Sequence, residues 1–545
     1  MGAVNNVEDV QKLEDTPLEG DHGRLGTTAE ELPVAFWKDW KIMGSLLAFA
    51  LGYNSAYWVF VMPSNGLLVI VADLGGGSDA IWIATAGTLC QTIAIAIVGR
   101  LSDVFGRRWY FIFFNVLTLA GMLFASQAKT VRMLAGAVAL TGFGSSAQLI
   151  GAIVVGELLP NKHRFLVYGI MTVLFAPVTA LLPVIDTSPA IGESKSTGIL
   201  TTRQGGNSSP RPELAGGRST IYTRECRLPF ENLHKRHSRR DLLKNLDYVG
   251  FTIFTGSTAA LLVGLSWGGS AHPWKSAAVI APIVLGGVGW IAFVFWELSG
   301  IPEVPLIPLA MLNNRDYFSL SIISAVDVML AYSLNVIWPQ QLSTVFGLDT
   351  TSIGWNSCTL TGGLLLGQLL AGLLVQPLGE LKWQLVVSAV LMTAFAGGLA
   401  ALDVTRVQGL VLTLLATTAS GYLEIVTLVG SPMVINPDIM GIAIGAQSTL
   451  RGLLATVAIT MYSTILSNEA DKGIVKYVVP AVVEAGLPQT SVTSLLQALA
   501  LGDQALLAKV PGVTQSVILV AVAATRVAYM HAFQIVYVSA IPFGT

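Results

Sequence analysis

The chain has 545 residues, of which 53% are hydrophobic and 12% charged. Soluble domains carry about 25% charged residues, so this composition excludes an ordinary soluble protein and points to many bilayer crossings. The net charge of -2 leaves no basic footprint for nucleic acid. Cys90, Cys226 and Cys358 are too widely spaced for a metal site or a disulfide framework. The sequence holds no G-x-x-x-x-G-K-[S/T] loop and no clustered His or carboxylate motif, which argues against ATP-driven pumping, membrane enzymes and a bound cofactor.

Residues 1–41 are polar and acidic, with Glu8, Asp9, Glu14, Asp15, Glu19, Asp21, Glu30 and Glu31. Secretory leaders begin basic instead. This stretch therefore reads as a disordered cytosolic tail, and the first span as an uncleaved anchor with Trp37 and Trp40 at the interface. Apolar runs long enough to cross a bilayer fall near 42–62, 80–99, 109–126, 130–157 and 165–185, an N-terminal bundle over 42–185. Two additional spans, 248–267 and 276–297, precede a C-terminal bundle over 317–545. Its spans lie near 317–339, 354–376, 383–402, 408–435 and 438–466, with a last one beginning near Val520. That last run stops at Thr545 before it is complete. Residues 467–519 read as an extracytoplasmic loop with short helices, including an amphipathic stretch over 492–510. The expected fold is an all-α polytopic membrane protein of about thirteen visible spans.

Loop charge orients these spans. Pro160-Asn161-Lys162-His163-Arg164 is basic and belongs inside, whereas 343–354 carries no Lys or Arg and belongs outside. The polar segment 186–247 breaks the pattern. It contains Gly205-Gly206-Asn207-Ser208-Ser209-Pro210 and no spanning run, yet Lys235, Arg236, Arg239 and Arg240 follow it. Without a crossing there, this basic cluster lies outside and every later helix is inverted. One crossing between 186 and 228 repairs both. Either a helix is missing from this chain, or its coding sequence differs there, or the segment is a long outer loop with Asn207 as a glycosylation acceptor.

Between the second and third spans lies Gly99-Arg100-Leu101-Ser102-Asp103-Val104-Phe105-Gly106-Arg107-Arg108. It resembles the signature loop of the major facilitator superfamily, G-x-L-x-D-x-x-G-R-R/K, matched by Gly99, Leu101, Asp103, Gly106, Arg107 and Arg108. In that family the loop latches two helical bundles in one transport state. Further segments resemble the fungal trichothecene efflux pump family, related to fourteen-span drug/proton antiporters and siderophore transporters. They are Gly156-Glu157-Leu158-Leu159-Pro160, Leu246-Asp247-Tyr248-Val249-Gly250, Leu265-Ser266-Trp267-Gly268-Gly269 and Ala540-Ile541-Pro542-Phe543-Gly544. The resemblance implies a fourteen-span, two-bundle fold whose sixth span occupies 186–228. The chain departs from drug antiporters at Val138, where they carry arginine four residues before Gly142-Phe143-Gly144. It departs again at Ala176-Pro177, a reduced form of their Gly-Pro motif.

Ionisable side chains at mid-bilayer depth are costly and are functional candidates by default. Asp327, Glu424 and Arg451 fall near the middles of their spans and are the candidates for proton coupling. Glu424 and Arg451, on consecutive spans, could equally form a structural ion bridge. Asp327 has no evident partner in sequence, and a lone carboxyl in an apolar setting binds a proton more readily than in water. Tyr53, Asn54, Tyr57, Gln91, Gln148, Tyr332 and Asn335 are candidates for the substrate path, an amphipathic wall suited to a hydrophobic, oxygenated molecule. For each, helix–helix packing is the competing role. Asp438 reads as a helix cap, and Glu157 beside Arg164 as structural or gate-related.

The expected function is secondary active export of a small toxin-like or drug-like molecule, by proton antiport, from the plasma membrane or a vacuolar or vesicular membrane. Its partners are the substrate, protons and the bilayer, with no obligate protein partner. A siderophore–proton importer is the alternative, and an inactive product follows if the missing crossing is real.

Overall fold

The computed structural model describes residues 40–65, 70, 81–105, 107–149, 159, 161–174, 179–181, 183–184, 247–268, 272–301, 309–401, 405–435, 440–492, 494–495 and 513–544. The acidic tail, the segment 186–246, Cys226, Gly106, Glu157, Asp438 and most of 492–510 lie outside these residues. Among the described residues the fold is all helical, apart from an isolated bridge between Gly268 and His272 in a tight turn.

The N-terminal bundle contains α1 (Trp40–Asn65), α2 (Ile81–Phe105), α3 (Arg107–Ala125), α4 (Val131–Leu149) and α5 (Asn161–Val173). A hairpin of α6 (Tyr248–Trp267) and α7 (Ala277–Leu298) follows. The C-terminal bundle contains α8 (Arg315–Thr344), α9 (Thr350–Leu378), α10 (Leu381–Gly398), α11 (Arg406–Gly430) and α12 (Met440–Gly473). After a π-turn at Ile474–Val478 come the short α13 (Val479–Glu484) and finally α14 (Gln515–Gly544). Polar caps open several helices. Asn314 accepts from the amides of Asp316 and Tyr317 at α8, and Thr405 with Gln408 forms a capping box at α11.

Residue pairing sets the helix directions. Gln91 meets Ser145 and Gly87 meets Val138 and Gly142, so α2 and α4 run parallel. Thr88 meets Thr456 and Thr92 meets Gly452, so α2 and α12 run antiparallel. Tyr317 bonds the Ala443 carbonyl and Ser324 meets Arg451, so α8 is parallel to α12. Ala96 packs with Phe254 while Leu89 and Ile93 pack with Leu262, so α6 is antiparallel to α2. Helix α6 therefore starts on the face that carries the 99–108 motif. Helix α5 is antiparallel to α9, because Gly169 meets Gly372 and the Ala180 carbonyl meets Thr361. It leaves on the opposite face, so the later helices keep the ordinary order rather than the inverted one.

Two seams join the bundles, α2 against α12 and α5 against α9. A Cβ added at Gly169 would lie 2.9 Å from the Cα of Gly372, so this seam requires two glycines face to face. Helix α7 presents Leu285 and Phe295 outward, 67% and 68% exposed, as a lipid-facing helix should.

Three boundaries differ from the sequence reading. The motif at 99–108 lies on helix ends rather than in a loop, since α2 continues to Phe105 and α3 begins at Arg107. The outer loop is shorter than 467–519, because the helix of α12 runs on through the π-turn to Glu484. There Val478 and Val482 bury against Val517 and Ala521 of α14, so apolar packing continues the helices past the expected span. Helix α14 starts at Gln515, ahead of Val520. Its last turns, at Ile541 and Phe543, reach only the level of Met329 on α8 and Gly397 on α10.

Candidate functional site

A charge cluster lies where α8, α11 and α12 meet, deep in the C-terminal bundle. Arg451 Nη2 bonds Glu424 Oε1 at 2.7 Å and Arg451 Nη1 bonds Ser324 Oγ at 3.0 Å. Gln368 of α9 donates to Glu424 Oε2 at 2.9 Å. Ser420 donates to Asp327 Oδ1. Asp327 and Glu424 are 1% and 4% exposed. Ser420, Glu424 and Thr427 recur at i, i+4 and i+7, which places them on one face of α11. Thr427 completes the network with a bond to Ser324 Oγ at 3.0 Å.

The N-terminal bundle reaches this cluster through tyrosines. Tyr53 OH donates to Glu424 Oε1 at 3.5 Å. Its ring sits 5.5 Å from that of Tyr168 and 6.3 Å from that of Tyr57, which in turn lies 6.5 Å from Tyr332 of α8. Edge-to-face pairs at such distances are favourable. Between the bundles remains a cavity of about 40 Å³ lined by Tyr53, Tyr57, Gln91, Tyr332, Glu424 and Arg451, among others. Just beyond it Tyr57, Val61, Val336, Leu364 and Ile459 form an apolar plug from both bundles.

The cavity thus gathers six of the sequence candidates. Four others stand apart from its lining. Asn54 donates to the Ala50 carbonyl at 2.8 Å and accepts from Thr179 at 3.1 Å, tying α1 to the chain after α5. Gln148 donates to Asn115 at 2.8 Å and accepts from Ser55 at 2.8 Å, locking α1, α3 and α4 together. Both fill packing roles. Asp327 faces Ser420 rather than the cavity, so it does have a partner. Asn335 donates back to Ala331 at 2.8 Å, one turn down its own helix. Of the signature residues, Gly99, Leu101, Asp103, Arg107 and Arg108 sit on the described helix ends, and their side chains lie outside the described set.

Sequence reasoning missed Ser324, Gln368, Ser420, Thr427 and Tyr168. Neutral residues carry no charge signal in an apolar run. The i, i+4, i+7 spacing of Ser420, Glu424 and Thr427 is the one cue that was available. Among the described residues no group of three His, Cys, Asp or Glu could hold a metal ion.

Two helical bundles around a buried, charged centre define a membrane transporter of the major facilitator class. Residues 3–198 and 221–545 match the family described as "Fungal trichothecene efflux pump (TRI12)", and the chain belongs to that family. The unmatched internal residues, 199–220, fall inside the polar segment. Relatives include the "Trichothecene efflux pump TRI12" of Fusarium sporotrichioides, 26% identical over 95% of this chain and 87% of that protein. Another is the "MFS-type transporter prx5" of Penicillium rubens, 24% identical over 97% of this chain and 93% of that protein. Among solved structures, the bacterial homolog to the human lysosomal transporter Spinster, inward-facing and unoccupied, gives a TM-score of 0.52 at 12% identity, covering 93% of this chain and 96% of that one. The proton:xylose symporter XylE gives 0.50 at 14% identity, covering 80% and 90%. These structural likenesses speak for the fold alone.

Proposed function

We propose that this transporter exports a small, lipid-soluble, oxygenated molecule of the trichothecene kind across the plasma membrane, in exchange for protons. The observation that carries this reading is the buried Arg451–Glu424 pair, 2.7 Å long, touched across the bundle interface by Tyr53. Such a pair couples cargo binding to charge, because anything that separates the bundles strips Tyr53 from Glu424. The cavity of about 40 Å³ is far below the roughly 300–1,000 Å³ of drug-sized sites. Cargo therefore enters only when the bundles rock apart, and the apolar plug around Val61 and Val336 must open on the outer side.

Asp327, Glu424 and Arg451 give two carboxyls and one guanidinium. With both carboxyls ionised the cluster holds an uncompensated buried charge, which is costly. One bound proton removes it. Asp327, held by the neutral Ser420 hydroxyl, is the group assigned to that proton, and Glu424 stays paired with Arg451.

The test uses purified protein in liposomes, a radiolabelled trichothecene and an imposed pH gradient. Asp327→Asn is expected to abolish gradient-driven transport while keeping downhill exchange. Gradient-driven transport at wild-type rate in that variant sinks the assignment.

A further inference from the structure

A second, larger cavity lies on the lipid-facing flank of the C-terminal bundle, between α9, α10 and α11. Its volume is about 460 Å³, within the range of drug-sized sites (roughly 300–1,000 Å³). Trp383 and Val387 of α10 form its rim and are 65% and 53% exposed. It opens toward lipid, not into the space between the bundles. Phe395 continues the apolar wall. Helix α10 begins on the same face as the 99–108 motif, because α9 runs toward that face and the two helices join at Gly379 and Glu380. The groove thus belongs to the inner leaflet.

Its floor is polar. Tyr422 OH donates to Gln384 Oε1, and the Gln384 amide donates to the carbonyls of Val375 and Gly379. That amide is spent on holding α9 to α10. Ser388 is different. It is 8% exposed as a residue and lines the groove; among the described residues its hydroxyl makes no hydrogen bond, and its oxygen is open to the groove rather than sealed in the core. A helical serine ordinarily bonds back to a carbonyl one turn earlier, and a hydroxyl facing lipid, where no water serves it, is costly to leave without a partner. An oxygen supplied from the groove would complete it.

The position restricts what supplies that oxygen. Ser388 lies seven residues past the start of α10 at Leu381, about 10 Å along the helix. At that depth a phospholipid offers only its acyl chain, which accepts no hydrogen bond. None of the groove's lining residues is basic, and Glu380 stands at its rim, so an anionic headgroup finds no counter-charge. Glu424, two residues from Tyr422 on α11, lines the central cavity instead. Groove and cavity lie on two sides of one helix.

We propose that this groove is a membrane-side receiving site for the cargo. It takes a compact, neutral, lipid-soluble molecule with an acceptor oxygen from the inner leaflet, and the Ser388 hydroxyl donates to that oxygen. The proposal rests on the export reading above.

The test uses the full chain in lipid nanodiscs with a diazirine-bearing sesquiterpene alcohol as photoprobe. Label is expected on α10 and α11, reduced at least fivefold by Val387→Trp, which blocks the rim from outside the packed core, and by Ser388→Ala, which removes one atom. In liposomes both variants should raise the KM for a radiolabelled trichothecene at least fivefold and keep kcat. Label that falls elsewhere, or that neither variant reduces, overturns the site. Reduced label with an unchanged KM overturns its receiving role. A wild-type protein that is labelled in the groove but transports no trichothecene supports the site and overturns the export reading for that cargo.

Discussion

Arg451 is the residue on which the centre depends. It holds Glu424 at 2.7 Å and Ser324 at 3.0 Å with little of its surface exposed. Removing one member of a buried ion pair leaves the other charge uncompensated, at about 3–5 kcal/mol. Arg451→Leu should therefore lower unfolding stability in detergent by that amount, and adding Glu424→Leu should recover most of it while transport stays lost. Equal stability of Arg451→Leu and the wild type would show that the pair is not desolvated as described. The pair was legible in sequence as two ionisable residues on consecutive spans. Its partners Gln368, Ser324 and Thr427 were not, because neutral side chains gain meaning only from what they face.

At the scale of elements, glycine decides how closely helices approach. A Cβ on Gly142 of α4 would run into the carbonyl of Gly87 on α2, and one on Gly144 into the backbone of Thr118 on α3. The Gly142-Phe143-Gly144 motif thus lets α4 press against two neighbours, and Val138, where related antiporters carry arginine, packs on Gly87. Gly142→Leu should cost about 1–3 kcal/mol through overpacking, read as a lower unfolding midpoint. By contrast Gly136, with nothing within 4 Å of an added Cβ, should accept alanine without loss. If both substitutions are equally tolerated, the α2–α4 crossing is wrong.

For the whole molecule, the described packing fixes the topology. The turn between α6 and α7 lies on the face opposite the 99–108 motif, and α8 starts on the motif's face. In a chain freed of native cysteines, Lys275→Cys should react with a membrane-impermeant maleimide on intact cells, and Asp316→Cys only after permeabilisation. The reverse pattern would restore the inverted topology that the bare sequence allowed. The outer plug makes a second prediction. Val61→Cys with Val336→Cys, residues of one cluster drawn from both bundles, should oxidise to a crosslink that halts transport until reduced. Transport that continues after crosslinking would remove the plug as the moving outer closure.

The sequence alone determined that this chain is a helical membrane protein of the major facilitator kind. Bilayer thickness demands apolar runs of set length, and those runs, with the motif at 99–108, can be read locally. Helices α6 to α11 accordingly match their expected spans to within a few residues. Only the tertiary structure decided which face each polar residue serves. It sent Asn54 and Gln148 into interhelical packing and drew Tyr53, Gln91 and Glu424 together from three distant helices. It also set Ser388 in the wall of a groove between α9, α10 and α11. In a chain where nearly every span is apolar all round, hydropathy does not mark the inward face. That face is set by contacts between residues hundreds of positions apart, as when Tyr53 meets Glu424.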